Sequence, residues 1–388
     1  MSNQSQQSVH EFLRHLLSAA VNAALYGMGH PQVTHLTRLA ASGIRNVLEE
    51  RQDFSLIALE DELIIDGTPQ DLGLITGRFI QMLKSNGIGH IRILAGVTQP
   101  EIESLVASLS RQNKSTNEIA SSENIRLGRV DIESDGREGQ KINTTSTGRR
   151  FTLHDLPFRE LEEFKEIYET VRQRKKLQLS GMAEMVSGFI NVFQNEGSPL
   201  LVMAALRDVD EYTFTHSTNV CILNLAQAMA LGIEGQQLND IGVAALLHDI
   251  GKLFVPEEIL IKQGKLTTAE FEIMQQHPVK GARYLLETPG VPRLAAINAF
   301  EHHMKFDFSG YPAVPADWRQ NLCSQMTQIS DFFDALRTRR PYREPMELPA
   351  IADIMYGMMG KELHPVLTRN FLSIIKQLTK PQQVVPPV

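Results

Sequence analysis

His248 and Asp249 stand side by side in the run Leu246-Leu247-His248-Asp249-Ile250-Gly251-Lys252. An imidazole nitrogen and a carboxylate at adjacent positions can grip one cation or bridge two, and an ammonium three residues on can neutralise a phosphate oxygen. Five further residues of ligand type follow the same logic: His216, His277, His302, His303 and Asp331. Each alone has a plain use as a hydrogen-bonded core or surface residue. Together, five of the twelve histidines and two aspartates fall on helix faces or helix ends within one region, which a scatter of core residues would not do. Imidazole and carboxylate donors suit iron, manganese, zinc or nickel better than calcium. Two such ions about 3.5–4 Å apart bind a shared water, lower its pKa to give hydroxide at neutral pH, and clamp phosphoryl oxygens. The chemistry expected is metal-dependent hydrolysis of a phosphodiester, with His248, Asp249 and Lys252 at its centre.

Helices have to carry these groups. From Ser198-Pro199, a strong helix start, to about residue 376 the pattern is almost wholly helical. His216 lies on a helix beginning near Asp210. His248 and Asp249 close a later helix, whose partly negative C-terminus favours a nearby cation. His277 follows a helix opened by Thr267 with Glu270 three residues on, a capping-box pattern. His302 and His303 end another helix. Successive helical residues point about 100° apart, so this pair can serve two different ions. Asp331 sits mid-helix among apolar residues and needs a partner.

A different module precedes them. Residues 8–27 read as an amphipathic helix with Val9, Phe12, Leu13, Leu16, Leu17 and Ala20 on one face, and a second helix runs about 32–50. The period then becomes strand-like. Phe54–Leu59 and Leu63–Ile65 form a hairpin through Glu60-Asp61-Glu62, ended by Asp66-Gly67. A helix at 73–86, a strand at 90–95 and a helix at 99–110 complete a mixed α/β regulatory domain over 1–112. It opens with two helices, unlike a phosphoacceptor receiver, so Asp66 reads as a turn residue. Residues 113–155 form a polar linker with one candidate strand at 125–132; the helical domain spans 156–376, and 377–388 are a tail. Leu161, Phe164, Tyr168 and Val171 make a short seam over 158–175 that either packs on the chain's own core or pairs two copies. The fold class is mainly α: an all-helical C-terminal bundle preceded by a small mixed α/β domain.

Composition narrows the partners. At 388 residues and 42% hydrophobic, the chain has room for two or three domains with a sizeable core. A formal charge of −7 argues against a general DNA or RNA binder, though not against a small phosphate ligand held by local arginines. Cys221 and Cys323 spell neither a disulfide framework nor a metal motif. No apolar run reaches about 18 residues and the N-terminus lacks a signal-peptide pattern, so no membrane and a cytoplasmic location are expected.

Taken in order, these motifs resemble the HD-GYP domains of bacterial cyclic di-GMP phosphodiesterases, within the HD metal-dependent phosphohydrolase superfamily. The likeness covers roughly 160–376: His216-Ser217, HDIGK at 248–252, Lys262, Leu266-Thr267 before His277-Pro278, Gly281, HHMKFDFSGYP at 302–312, Asp331 with Asp334-Ala335-Leu336, and Arg340-Pro341-Tyr342-Arg343. The resemblance implies a helical bundle with a multi-metal centre, often iron or manganese. Its ligands would be His216, His248, Asp249, His277, His302, His303 and Asp331. Substrate contacts would come from Lys252, Tyr311, Arg340 and Arg343, and cyclic di-GMP would be opened to pGpG, with pGpG or GMP as the end product, in second-messenger signalling. Tyr212 stands where some members carry a glutamate ligand for a third ion, so two divalent ions are expected rather than three. Met304 replaces a usual glutamate, Phe308 a glycine, Asn219 an arginine and Arg339 an acidic residue. These departures leave the metal shell intact and bear on the substrate loop. A weak or inactive cyclic-dinucleotide receptor or scaffold, and an HD phosphohydrolase acting on another nucleotide, are the competing readings. A homodimer through 158–175 and signalling partners are further expectations.

Overall fold

The computed structural model describes residues 3–49, 51–70, 74–110, 121–128, 180–196, 212–338 and 346–379. Two compact units divide the chain, Met1–Asp131 and Ile132–Val388.

The first unit opens with α1 (Asn3–Tyr26) and α2 (Pro31–Leu48). The apolar face expected on α1 is buried throughout, from Val9 to Ala20. The strands and later helices are β1 (Asp53–Leu59), β2 (Glu62–Ile65), β3 (Thr68–Gln70), α3 (Leu74–Ser85), β4 (His90–Leu94), α4 (Gln99–Ser110) and β5 (Ile125–Gly128). The strands form one antiparallel sheet in the order β3-β2-β1-β4-β5. The β1–β2 hairpin is present, but its turn is Glu60-Asp61 alone: Glu62, expected in the turn, begins β2 opposite Leu59.

One strand goes beyond the sequence reading, and the candidate strand at 125–132 gains its partner. Asp66-Gly67 leads into β3 instead of ending the hairpin; three residues that include a proline carry no readable alternation. Ile125–Gly128 pairs with β4, Ile93 opposite Ile125, and so joins this sheet from within the stretch read as linker. The Glu101 carboxylate of α4 explains the pairing, because it accepts hydrogen bonds from the Asn124 backbone and the Ser122 hydroxyl, each at 2.8 Å, just ahead of β5. Asp66 is a turn residue, with φ 48°, and its carboxylate accepts from the Ser55 N–H at 2.9 Å.

The second unit is helical. It comprises α5 (Ser180–Glu196), α6 (Tyr212–Ala230), α7 (Gly235–Leu246), a 3-10 turn at Ile250–Phe254, α8 (Glu257–Leu260), α9 (Thr268–Met274), α10 (His277–Leu286), α11 (Arg293–Glu301), α12 (Leu322–Arg337), α13 (Leu348–Met358) and α14 (Pro365–Thr379). α6 packs on α7 and α12, α7 on α11, and α10 on α11 and the 3-10 turn. A buried polar ladder sets the axial register of α6 against α12. Asn224 Nδ2 donates to Thr327 Oγ1 at 2.6 Å, Ser330 Oγ donates to Asn224 Oδ1 at 2.7 Å, and Gln227 Nε2 donates to Ser330 Oγ at 2.9 Å. Buried polar groups without such partners would cost about 1–3 kcal/mol each, so a slipped register is disfavoured several times over.

The 158–175 seam, the Ser198-Pro199 helix start and residues 380–388 of the tail lie outside the described residues, whereas 377–379 continue α14. Among the described residues, no helix is long and apolar enough to cross a membrane.

Candidate metal centre

The elements of the second unit bring all seven residues of ligand type together. His216 lies early in α6, His248 and Asp249 follow the end of α7, His277 is the first residue of α10, His302 caps α11 with His303 after it, and Asp331 is mid-way along α12. Asp249 is the common centre. Its Oδ2 lies 3.3 Å from His248 Nε2 and 3.9 Å from His216 Nε2. Its Oδ1 lies 3.3 Å from His277 Nε2 and 3.6 Å from His302 Nε2. Asp331 Oδ1 approaches His216 Nε2 at 3.2 Å.

The donors thus form two sets that share Asp249. One is His216, His248 and Asp249; the other is Asp249, His277, His302 and His303; within each set the donor atoms lie within 4.8 Å of one another. His302 and His303 fall in the same set, their rings 4.2 Å apart. The regular helical step of about 100° per residue stops at Glu301, where α11 ends.

Local backbone chemistry aims the rings. The Nδ1 of His248 meets the Ala245 carbonyl at 2.7 Å, that of His277 the Met274 carbonyl at 2.8 Å, and that of His302 the Ala299 carbonyl at 2.9 Å. A carbonyl only accepts, so each Nδ1 carries the hydrogen and each Nε2 is left with a lone pair for a cation beside Asp249. In every case the carbonyl belongs to the residue three positions earlier, on the turn just before the histidine.

The chain packs tightly to achieve this. A Cβ on Gly251 would sit 1.9 Å from the His277 carbonyl oxygen and 2.8 Å from Gly281 N, so the 3-10 turn and α10 touch backbone to backbone. A Cβ on Gly310 would sit 2.0 Å from the His303 carbonyl oxygen. That oxygen accepts the Tyr311 N–H at 3.0 Å, and the Tyr311 ring lies 4.8 Å from the His303 ring.

The electrostatics suit a cation. Burial works to raise the Asp249 carboxyl, but the Lys252 ammonium at 2.5 Å outweighs it and holds the group well below the usual carboxylate range. Burial lowers His302 to about 4 and holds His303 well below its ordinary value, so both rings are neutral at pH 7. Burial, then the carboxylates of Asp249 and Asp331, push the Tyr311 phenol up, which keeps it a hydrogen-bond donor. His248 Nε2 and Asp249 Oδ1 are buried with no hydrogen-bond partner. Two orphaned lone pairs, flanked by nitrogen and oxygen donors only, fit a divalent cation.

Asn219, expected to bear on the substrate loop, instead acts together with Asp334, to which the residue types assign no role. His216 Nδ1 meets Asp334 Oδ2 at 2.7 Å, and Asn219 Nδ2 donates to Asp334 Oδ1 at 2.9 Å. The signal was in the spacing: Asp334 lies one turn after Asp331, and Asn219 one turn after His216. Met304 is buried, whereas Phe308 is exposed at φ 60°, a left-handed conformation that glycine adopts freely and an aromatic residue rarely. Arg339, Arg340 and Arg343 lie outside the described residues; Tyr212 is described only as the first residue of α6.

Residues 201–367 match the HD domain family. A cyclic di-GMP phosphodiesterase of Pseudomonas aeruginosa is 41% identical over 145 residues, covering 37% of this chain and 35% of that protein. A 3'3'-cGAMP-specific phosphodiesterase of Vibrio cholerae is 35% identical over 176 residues, covering 44% of this chain and 41% of that protein. The chain thus spans less than half the length of either curated relative. An HDG"Y"P protein from Bdellovibrio bacteriovorus superposes over 84% of this chain and 94% of its own, with a TM-score of 0.47 and 14% identity.

Proposed function

We propose, from the membership of residues 201–367 in the HD domain family, that this chain is a metal-dependent phosphodiesterase that hydrolyses cyclic di-GMP. Water adds across one P–O3′ bond, leaving a 5′-phosphate and a free 3′-hydroxyl. The first product is linear pGpG, and a second hydrolysis, where it occurs, gives GMP. The observation that carries this reading is Asp249, whose two oxygens face two separate histidine sets.

His216, His248, Asp249 and Asp331 would hold one divalent ion, and Asp249, His277, His302 and His303 a second, with iron or manganese the best matches to these donors. Bound there, the ions supply Lewis acidity and a nucleophile at neutral pH. The chain's own groups do the rest. Lys252 balances the Asp249 charge and presents an ammonium to a phosphoryl oxygen. Tyr311, held as a neutral phenol, donates a hydrogen bond. Arg340 and Arg343 grip the phosphates through their planar forks. In this reading 156–376 is the catalytic domain, 1–112 regulates it through signalling partners, 113–155 joins them, and the 158–175 seam pairs two copies. The free, buried thiols of Cys221 and Cys323 suit a reducing cytoplasm.

A second reading keeps the chemistry and changes the substrate to the mixed guanine–adenine cyclic dinucleotide, which the likeness to the Vibrio cholerae protein favours. The test is protein purified without oxygen, its metal counted by elemental analysis, incubated with each cyclic dinucleotide and resolved by chromatography. Linear product from cyclic di-GMP is expected. Tight binding without any product, at full metal occupancy, would instead make the chain a receptor.

A further inference from the structure

The short helix α9 buries none of its side chains, yet it carries a large aromatic residue, Phe271, that is 45% exposed. Its position is closely set. Thr267 and Glu270 form a reciprocal capping box at the start of α9, Lys262 Nζ lies 2.5 Å from Glu270 Oε2, and the Phe271 N–H donates to the Thr267 carbonyl at 2.9 Å. The Phe271 ring meets Tyr311 edge to face, centroids 6.2 Å apart at 83°. Tyr311 in turn lies 4.8 Å from His303, tilted by 32°, and His303 belongs to the donor set around Asp249. A row of rings therefore leads from the candidate metal centre, through Tyr311, to an open aromatic face. The Phe271 ring touches Tyr311 on one side and is otherwise open to water beside the row of rings that starts at the candidate metal centre.

We infer that Phe271 is a specificity residue whose open face stacks on a purine base of the cyclic dinucleotide, an assignment that rests on the phosphodiesterase reading above. In a nucleotide the base is one ribose away from the phosphate, and Phe271 is one ring beyond Tyr311. A base offers a flat π-face, which is the partner an exposed phenyl ring lacks. Stacking of this kind changes affinity by roughly 5- to 100-fold per base and tolerates either purine. It therefore selects purine dinucleotides as a class, leaving the choice between guanine and adenine to polar groups.

The experiment compares the full chain with Phe271→Trp, Phe271→Leu and Phe271→Ala, all loaded with manganese, with metal content and thermal midpoint measured for each. Leucine keeps the apolar bulk and removes the π-face. Expected are a KM for cyclic di-GMP near wild type in Phe271→Trp, a rise of roughly 5-fold or more in Phe271→Leu and Phe271→Ala, and kcat and metal content little changed. A cyclic dinucleotide carrying 2-aminopurine should lose fluorescence on binding to wild type and to Phe271→Trp, and keep it with Phe271→Leu. Wild-type behaviour of Phe271→Leu in both measurements overturns the assignment while leaving the phosphodiesterase reading standing. Loss of metal or of kcat in Phe271→Leu makes the residue a mere support for Tyr311 and also overturns it. Failure of the wild-type chain to bind or cleave any cyclic dinucleotide overturns both.

Discussion

His216 Nδ1 lies 2.7 Å from Asp334 Oδ2, inside the interface of α6 and α12. A carboxylate only accepts, so Nδ1 is the protonated nitrogen and Nε2 faces Asp331 and Asp249. Asn219 holds the other Asp334 oxygen, leaving the carboxylate no freedom to turn. Asp334 is thus a positioning residue for His216. Asp334→Ala should weaken divalent-metal affinity by roughly 10- to 100-fold, and Asn219→Ala by less, with helix content kept. Chelator competition followed by elemental analysis measures this; unchanged affinity in Asp334→Ala would refute the positioning role.

Uptake of metal should depend on pH differently at the two donor sets. Burial opposes charge on His216, but Asp331 and Asp334 outweigh it and raise the ring to about 10, so the metal-free ring is protonated at neutral pH. A cation reaching Nε2 has to displace that proton, and affinity should rise by up to about tenfold per pH unit between pH 6.5 and 8. His302 and His303 are already neutral there, so the second set should vary less. Manganese titrations at several pH values, with proton release followed in weak buffer, should show one pH-dependent and one nearly pH-independent class. Two classes with identical pH dependence would contradict the assignment.

The ligand set was legible because adjacent histidine and aspartate, and histidines placed at helix ends, are local patterns. The helices around it were legible for the same reason: the Thr267–Glu270 capping box and the apolar face of α1 each lie within a few turns of chain. What sequence could not show was convergence. Asp334 gains its role from a histidine on another helix, and the register that joins them comes from Asn224, Gln227, Thr327 and Ser330, which look like ordinary polar interruptions in helical runs. The grouping of His302 with His303 depends on where α11 stops, and helix ends are the least readable part of a pattern. β3 is three residues long, too short for alternation to rise above chance, and its partner decides it; β5 is a candidate strand in the sequence, but only its pairing with β4 ties it to this sheet.

His90 makes the first unit sensitive to mild acid. It is buried on β4, its Nε2 has no hydrogen-bond partner, and burial, helped by the Arg92 charge, lowers it to about 4. Unfolded, the ring titrates near 6.5. Between those values the unfolded chain binds the extra proton, so stability present above pH 6.5 is lost as pH falls toward 4, by at most about 1.4 kcal/mol per pH unit. Urea unfolding of the N-terminal unit, followed by proteolysis at pH 4.5, 5.5 and 6.5, should show a falling midpoint. His90→Leu should flatten the slope over this window; an equally steep slope in that variant would assign the effect elsewhere.

Gly251 is where one added methyl group should undo both packing and chemistry. A Cβ there would fall 1.9 Å from the His277 oxygen, 2.7 Å from the His277 carbonyl carbon and 2.8 Å from Gly281 N, all backbone atoms that cannot rotate away. The approach is mutual, since a Cβ on Gly281 would sit 2.9 Å from Gly251 N. Relief requires α10 to move off the 3-10 turn, and that withdraws His277 from Asp249, now 3.3 Å apart. Gly251→Ala should therefore cost about 1–3 kcal/mol or more of stability and empty the set of Asp249, His277, His302 and His303. Gly357 is the control: it is exposed in α13, with nothing within 4 Å of its would-be Cβ, and Gly357→Ala should stabilise by up to about 1 kcal/mol through helix propensity alone. Thermal midpoints and metal counts read both effects. A Gly251→Ala protein that melts like wild type and keeps its full metal complement would show that this backbone crossing does not hold the centre together.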